Sequence, residues 1–346
     1  MHPEQPSEQE QTDIISGCAN CGSSFVEPDR PTKLCTDCRN NFIRYPIPLW
    51  IKGFGIGIGL VVVFSLFSLP KQLSLGVHLE RGKKAIAERK FVTAERELKA
   101  FTQKVPDSKE ALANLLIASF HNLHSDVLSE TLDKLQGEEI DDAALLERAN
   151  DVIAKLEKYV PGDSANALIS RYNNADLVPD TAYFNVLRQQ DDDLWTAAKL
   201  SSDLFDDGKY KLCDSILQRV IKKDEAYWPA LRLLSSLKRQ QDSMERSLHY
   251  CNVMLGINHE DTYAMASKAR TLLRQKKDKE AMNLIHQAIA LDGKDGYTQA
   301  TLALAYHVNN KIKERDQLMS ELRKDLLSSV YLEYVTDVIQ GKEKFR

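Results

Sequence analysis

The chain has 346 residues, 46 Lys and Arg against 50 Asp and Glu, and a net charge of −4, with a mean hydropathy of −0.38. That length suffices for two or three domains with buried cores. The missing basic excess argues against a general nucleic-acid binder, and six cysteines are too few for a disulfide scaffold.

Residues 1–17, MHPEQPSEQEQTDIISG, are polar and read as a disordered tail. Residues 18–40 hold four of the six cysteines, as Cys18-Ala-Asn-Cys21 and Cys35-Thr-Asp-Cys38. Each C-x2-C turn offers two thiolates to one side of a metal, so the two together predict a tetrahedral Zn²⁺ site. Gly22 suits a tight turn, and the sequence up to Leu34 leaves room for a short hairpin with Phe25, Val26 and Leu34 as its core. So short a segment cannot fold on burial alone, and the metal would supply what is missing. With four protein ligands the zinc would be structural, with no open position for catalysis. The alternative is a pair of redox dithiols or disulfides, which the absence of a βαβ context disfavours. On Cys18, Cys21, Gly22, Cys35 and Cys38 the segment resembles the zinc-ribbon family; Arg39 stands where that family often has Gly. Such ribbons contact nucleic acid in some proteins and polypeptides in others. Residues 1–45 carry seven acidic and four basic residues, which leaves little attraction for a phosphate backbone.

Residues 47–69 form an apolar run whose one charge is Lys52. About 20 helical residues span a bilayer, so the run predicts a transmembrane helix, with Tyr45 and Trp50 at the interface; a buried core helix is the alternative. Gly53/Gly57 and Gly55/Gly59 are interleaved small-xxx-small pairs, which predict self-association of that helix; the competing reading is that glycine is common in membrane helices.

From Leu194 the sequence falls into 34-residue blocks starting at 194, 228, 262 and 296. Their eighth residues are Ser201, Ser235, Ala269 and Ala303; their twentieth are Cys213, Ser247, Ala281 and Arg315. Small residues at both columns let two antiparallel helices pack closely, and larger apolar columns such as Leu217, Cys251, Ile285 and Met319 fill the layer between blocks. The period and pattern resemble tetratricopeptide repeats. An earlier block fits from about Leu75, with Gly82, Phe91, Ala94, Leu98 and Pro106 in register, and 109–123 reads as the first helix of another. The predicted fold is mainly α: a TPR-like α-solenoid, with degenerate repeats over 74–190 and regular repeats plus capping helices over 194–346. Lys238 and Arg315 depart from the pattern, standing at normally apolar or small columns.

The resemblance implies a concave groove lined by the first helices. Its groove columns hold Trp195, Arg232, Arg239, Tyr263, Arg270, Arg274, Tyr297 and His307. Arginines among aromatics suit an extended peptide with acidic or C-terminal carboxylate groups; the competing reading is an ordinary solvated helix face. The family's carboxylate clamp needs asparagine at column 9, where this chain has Ser202, Ser236, Arg270 and Leu304.

No phosphate loop, dinucleotide fingerprint, nucleophile elbow or HExxH motif occurs. His121 and His124 lack a third ligand at metal spacing, and Cys213 and Cys251 fall on packing columns, so no enzyme is expected. The expected protein is a single-pass, membrane-anchored scaffold that binds a partner polypeptide, its layout that of a bacterial inner-membrane protein. Arg44 and Lys52 before the span against Lys71 after it place the N-terminus in the cytoplasm. The second reading is a transmembrane regulator that couples the zinc ribbon to envelope signals read by the repeats.

Overall fold

The computed structural model describes residues 17–27, 29–43, 48–324 and 331–346, with the side chains of 43 and 66–74 left out. The expected tail, apart from Gly17, and Tyr45 lie outside the described residues. The chain divides into two units, Met1–Lys71 and Gln72–Arg346.

In the first unit the expected hairpin is replaced by turns: no strand occurs among the described residues of 18–34. The backbone bonds are spent locally, Cys18 N–H donating to Ser23 O and Gly22 N–H to Cys18 O, each at 2.8 Å. Phe25 is 86% exposed, so the apolar support of the cysteines is Val26 and Leu34 alone. Helix α1 (Thr36–Ile43) starts inside the second knuckle. Cys38 and Arg39 are therefore helical, which explains why no glycine is needed where the ribbon family often has one.

The reading of 47–69 as a membrane span is corrected. Among the described residues no helix is long and apolar enough to cross a membrane. Helix α2 (Leu49–Ala87) has 39 residues and runs on into the charged stretch His78–Lys84. Its first 17 residues, Leu49 to Ser65, are interrupted by glycine and by charge. Four of these residues are glycines and one is Lys52. The lipid partner, the inner-membrane placement and the cytoplasmic N-terminus fall with the span. A Cβ at Gly53, Gly55, Gly57 or Gly59 would meet nothing within 4 Å.

The second unit is built of antiparallel helix pairs. After α2 come α3 (Phe91–Thr102), α4 (Lys109–Asn122) and α5 (Ser125–Leu135), then α6 (Ala143–Leu156), α7 (Asp163–Tyr172) and α8 (Asp180–Gln189). Four regular pairs follow: α9 (Leu194–Asp206) with α10 (Tyr210–Lys223), α11 (Trp228–Gln240) with α12 (Met244–Ile257), α13 (Thr262–Arg274) with α14 (Asp278–Leu291), and α15 (Gly296–Val308) with α16 (Ile312–Leu322). The helix Leu332–Ile339 covers the end. This is the mainly α, TPR-like repeat fold.

The small columns do what close packing requires. Ser201, Ser235, Ala281 and Ala303 are fully buried. Cys213 Sγ donates to Ser201 O at 3.2 Å and Ser247 Oγ to Ser235 O at 2.7 Å, so the second helix of a pair caps a carbonyl on the first. Each pair also turns in the same way. Gly208, Asp242, Lys276 and Asn310, 34 residues apart, all have positive φ, as do Arg89 and Leu123. The next residue's N–H reaches back to close the helix, as in Lys209 to Leu204 O and Lys277 to Leu272 O. These are Schellman closures, which satisfy carbonyls the helix end would orphan and so hold a left-handed residue even without glycine. Asp193, Asp261 and Asp295 cap the N-termini of α9, α13 and α15 by accepting backbone N–H bonds.

The α3–α4 pair reaches the α12–α13 turn. Glu260 accepts from Thr93 N–H and Thr93 Oγ1 at 2.7 Å, and His259 N–H donates to Arg89 O at 2.8 Å. Beside this contact Glu95 is buried and accepts from His124, Asn122 and Lys99. Burial alone would raise its pKa, but the His124, Asn122 and Lys99 bonds outweigh it and hold the carboxyl at about 2. A depressed carboxylate contributes stability that is complete above its ordinary pKa of 4.5 and lost as pH falls towards 2. Hence the melting-temperature deficit of Glu95→Gln should shrink as pH falls from about 5 to about 2.5. A deficit constant across that window would show that Glu95 draws nothing from its ionised form.

Candidate functional site

Two sets of residues carry chemistry, one in each unit. In the first, the four Sγ atoms of Cys18, Cys21, Cys35 and Cys38 lie within 4.8 Å of one another, and none is in a disulfide. Four ligands about 2.3 Å from one tetrahedral Zn²⁺ lie about 3.8 Å apart, so the donor set fits a single ion. Asn20 Nδ2 donates to Cys38 Sγ at 3.3 Å and Cys38 N–H to Cys35 Sγ at 3.4 Å, the support thiolates need. Amides of Cys35 and Cys21 pull the Cys18 thiol down to about 6. Although the Ser23 amide lowers Cys21, the sulfurs of Cys38 and Cys35 beside it push it up to about 12. Four thiolates this close cannot all ionise without a cation among them. Cys213 and Cys251 are buried, with burial pushing Cys213 up to about 12, so they act as packing groups.

In the second unit, the first helices of the regular pairs line a cavity of about 680 Å³. Trp195 of α9, Arg232 of α11, Tyr263 and Arg270 of α13 and Tyr297 of α15 all face it. Its aromatic wall is a ladder: Trp228, Tyr263, Tyr297 and Tyr331 follow at ring separations of 5.6, 4.3 and 5.8 Å. Guanidinium groups lie on these rings. Arg232 sits 3.6 Å from the Tyr263 centroid and 4.7 Å from Trp228, and Arg270 sits 4.1 Å from Tyr297.

Arg239 lies behind this wall. Its Nη1 donates to Ser267 Oγ at 3.0 Å, and its Nη2 reaches Ser236 Oγ at 3.2 Å and Tyr297 Oη at 3.5 Å. Arg274 is turned away to Asp242 at 2.6 Å and the Arg239 carbonyl at 2.8 Å. His307 is likewise used elsewhere: Arg315 Nη1 donates to its Nδ1 at 2.9 Å, and burial and the Arg315 charge lower its pKa. Of the eight groove residues, then, five meet at the cavity, one supports it and two do not reach it.

The charge balance is unusual. Among the described residues no carboxylate forms an ion pair with Arg232, Arg239 or Arg270, whereas Arg274 has Asp242. Arg270 is only 7% exposed; its Nε is bonded to Thr301 Oγ1 at 2.8 Å, while its buried Nη2 has no hydrogen-bond partner. An unmet buried donor costs about 1–3 kcal/mol. The positive field shows in Tyr297: burial would raise its phenol, but Arg270 and Arg239 bring it below the ordinary value. Sequence reasoning missed Trp228, Tyr331 and Tyr334 on the wall. Tyr331 stands 34 residues after Tyr297, as Tyr297 does after Tyr263, so carrying the repeat past residue 329 finds it.

No protein-family model and no curated protein matches the chain. Among solved structures, it is similar to a tetratricopeptide repeat protein from Parabacteroides merdae, with TM-score 0.39 and 16% identity over 78% of this chain and 97% of that one. It is similar to yeast Tom70, with TM-score 0.35 and 13% identity over 73% and 61%. A third is YrrB, described as a TPR protein with an unusual peptide-binding site, with TM-score 0.30 and 12% identity over 68% and 97%.

Proposed function

We propose that this protein is a non-enzymatic scaffold that binds an acidic segment of a partner polypeptide along the first helices of its regular repeats. The observation that carries this reading is the pair of guanidinium groups, Arg232 and Arg270, on an aromatic wall, with Arg239 behind it and no carboxylate ion-paired to any of the three among the described residues. Aromatic and arginine side chains in a desolvated recess are what anchors a bound chain, and an acidic residue brings the missing charge. In the same proposal Cys18, Cys21, Cys35 and Cys38 hold one structural Zn²⁺ that shapes the N-terminal segment. The test is a peptide array read with the full chain. Binding should concentrate on acidic peptides and fall at least tenfold for Arg232→Ala, with the melting temperature little changed. Equal binding to acidic and basic peptides overturns the reading.

A further inference from the structure

Resting on that reading and deepening it, we propose that the anion taken by the cavity is a phosphoryl group, borne on a phosphorylated side chain of the partner polypeptide. The donor set points there. Arg270 Nη2 is buried without a partner, and the Arg232 guanidinium lies over the Trp228 and Tyr263 rings with no ion pair among the described residues. Ser236, Tyr263 and Tyr297, each with a hydroxyl, line the same cavity as these two arginines. A carboxylate has two oxygens and one charge, and a single bidentate arginine satisfies it. A phosphomonoester carries about −1.5 to −2 charges and three acceptor oxygens, which matches several guanidinium groups and hydroxyl donors far better. A cavity of about 680 Å³ also has room for the side chain that carries the group.

The probes are phenyl phosphate and benzoate, the same ring with different anions, titrated calorimetrically into the full chain. At pH 7.5 phenyl phosphate should saturate and bind at least tenfold more tightly than benzoate. Its affinity should fall several-fold between pH 7.5 and 5.5, because the ester loses its second charge near pH 6, while benzoate stays a monoanion. Lys199 and Asp206 are the other charged side chains on the cavity wall, and His121, His124, Glu260, Asp261, Asp292 and Asp295 share an adjoining cavity with Arg232; benzoate, a monoanion throughout, reports any change in their charge, and the arginines stay charged throughout. Arg270→Lys should weaken phenyl phosphate at least tenfold. Arg232→Lys, at a half-buried position, serves as a second variant, and melting curves of both establish that they fold. Benzoate binding as tightly as phenyl phosphate, or phenyl phosphate binding without pH dependence, overturns the phosphoryl assignment and leaves the acidic-segment reading in place. Failure of both probes to saturate overturns the assignment as well, and the acidic-segment reading then stands or falls on the peptide array.

Discussion

Stripping zinc from the protein should dismantle residues 18–38 and leave the helical repeats folded. The apolar material around the four cysteines is Val26 and Leu34, with Phe25 out in solvent. Its backbone forms turns and one short helix, α1. Little there offsets the conformational entropy lost on ordering the segment. A structural Zn²⁺ supplies about 10–16 kcal/mol at neutral pH in small zinc domains, so metal binding and folding of this segment should be one event. The chain should therefore contain one zinc, and Cys35→Ser should abolish stoichiometric binding. Amide exchange of 18–38 should rise to unprotected rates on chelation, while residues 91–322 keep their protection. Because thiolates are the ligands, zinc should be lost as pH falls and protons compete. Metal-free protein that retains protection across 18–38, or forms two disulfides there in air without loss of structure, would sink the zinc reading.

Replacing Asp214 with alanine should be the most damaging single change in the repeats. Lys238 stands at column 11 of its block, where the others have Leu204, Leu272 and Tyr306, and it is 2% exposed. Asp214 of the preceding block is its ion-pair partner, and the other polar contact is Gln241 Oε1 at 3.3 Å. Removing Asp214 leaves an ammonium buried and unpaired, which costs about 3–5 kcal/mol. With about 2–4 °C per kcal/mol for a domain of this size, the melting temperature should drop by roughly 10 °C. Lys238→Leu, which restores the column's own residue type, should be neutral or stabilising, since a buried ion pair seldom outperforms an apolar replacement. The pair Asp214→Ala/Lys238→Leu should thus be more stable than Asp214→Ala alone. A loss under about 0.5 kcal/mol for the single change would mean that Lys238 escapes to solvent.

The contrast between Lys238 and Arg315 shows what could be read in advance. Lys238 breaks an apolar column and Arg315 a small-residue one, and the sequence marks both as departures. What they do depends on a partner from another helix: Asp214 across a block boundary for Lys238, His307 within the block for Arg315. The same holds for the groove arginines. Their columns were legible, but Arg274 turns to Asp242 while Arg232 and Arg270 lie on tyrosine rings. Helical spacing places a side chain on a face without choosing its rotamer or partner.

By itself the sequence determined whatever depends on short-range periodicity. Small residues 34 apart permit only close helix pairs, whose first helices do begin at Leu194, Trp228, Thr262 and Gly296. Two C-x2-C turns can bring four thiolates together, as the Sγ positions show. Tertiary structure alone decided the rest. It replaced the hairpin of the cysteine segment with turns, because that segment's backbone bonds close locally. It overturned the membrane span, because no helix among the described residues is long and apolar enough to cross a membrane. It put Asp242, Lys276 and Asn310 in a left-handed conformation that only Gly208 advertises, because paired backbone bonds at each turn hold them there. It also gathered Arg232, Arg239 and Arg270 from two helices around stacked rings, since charge balance in a recess is a property of neighbours distant in sequence.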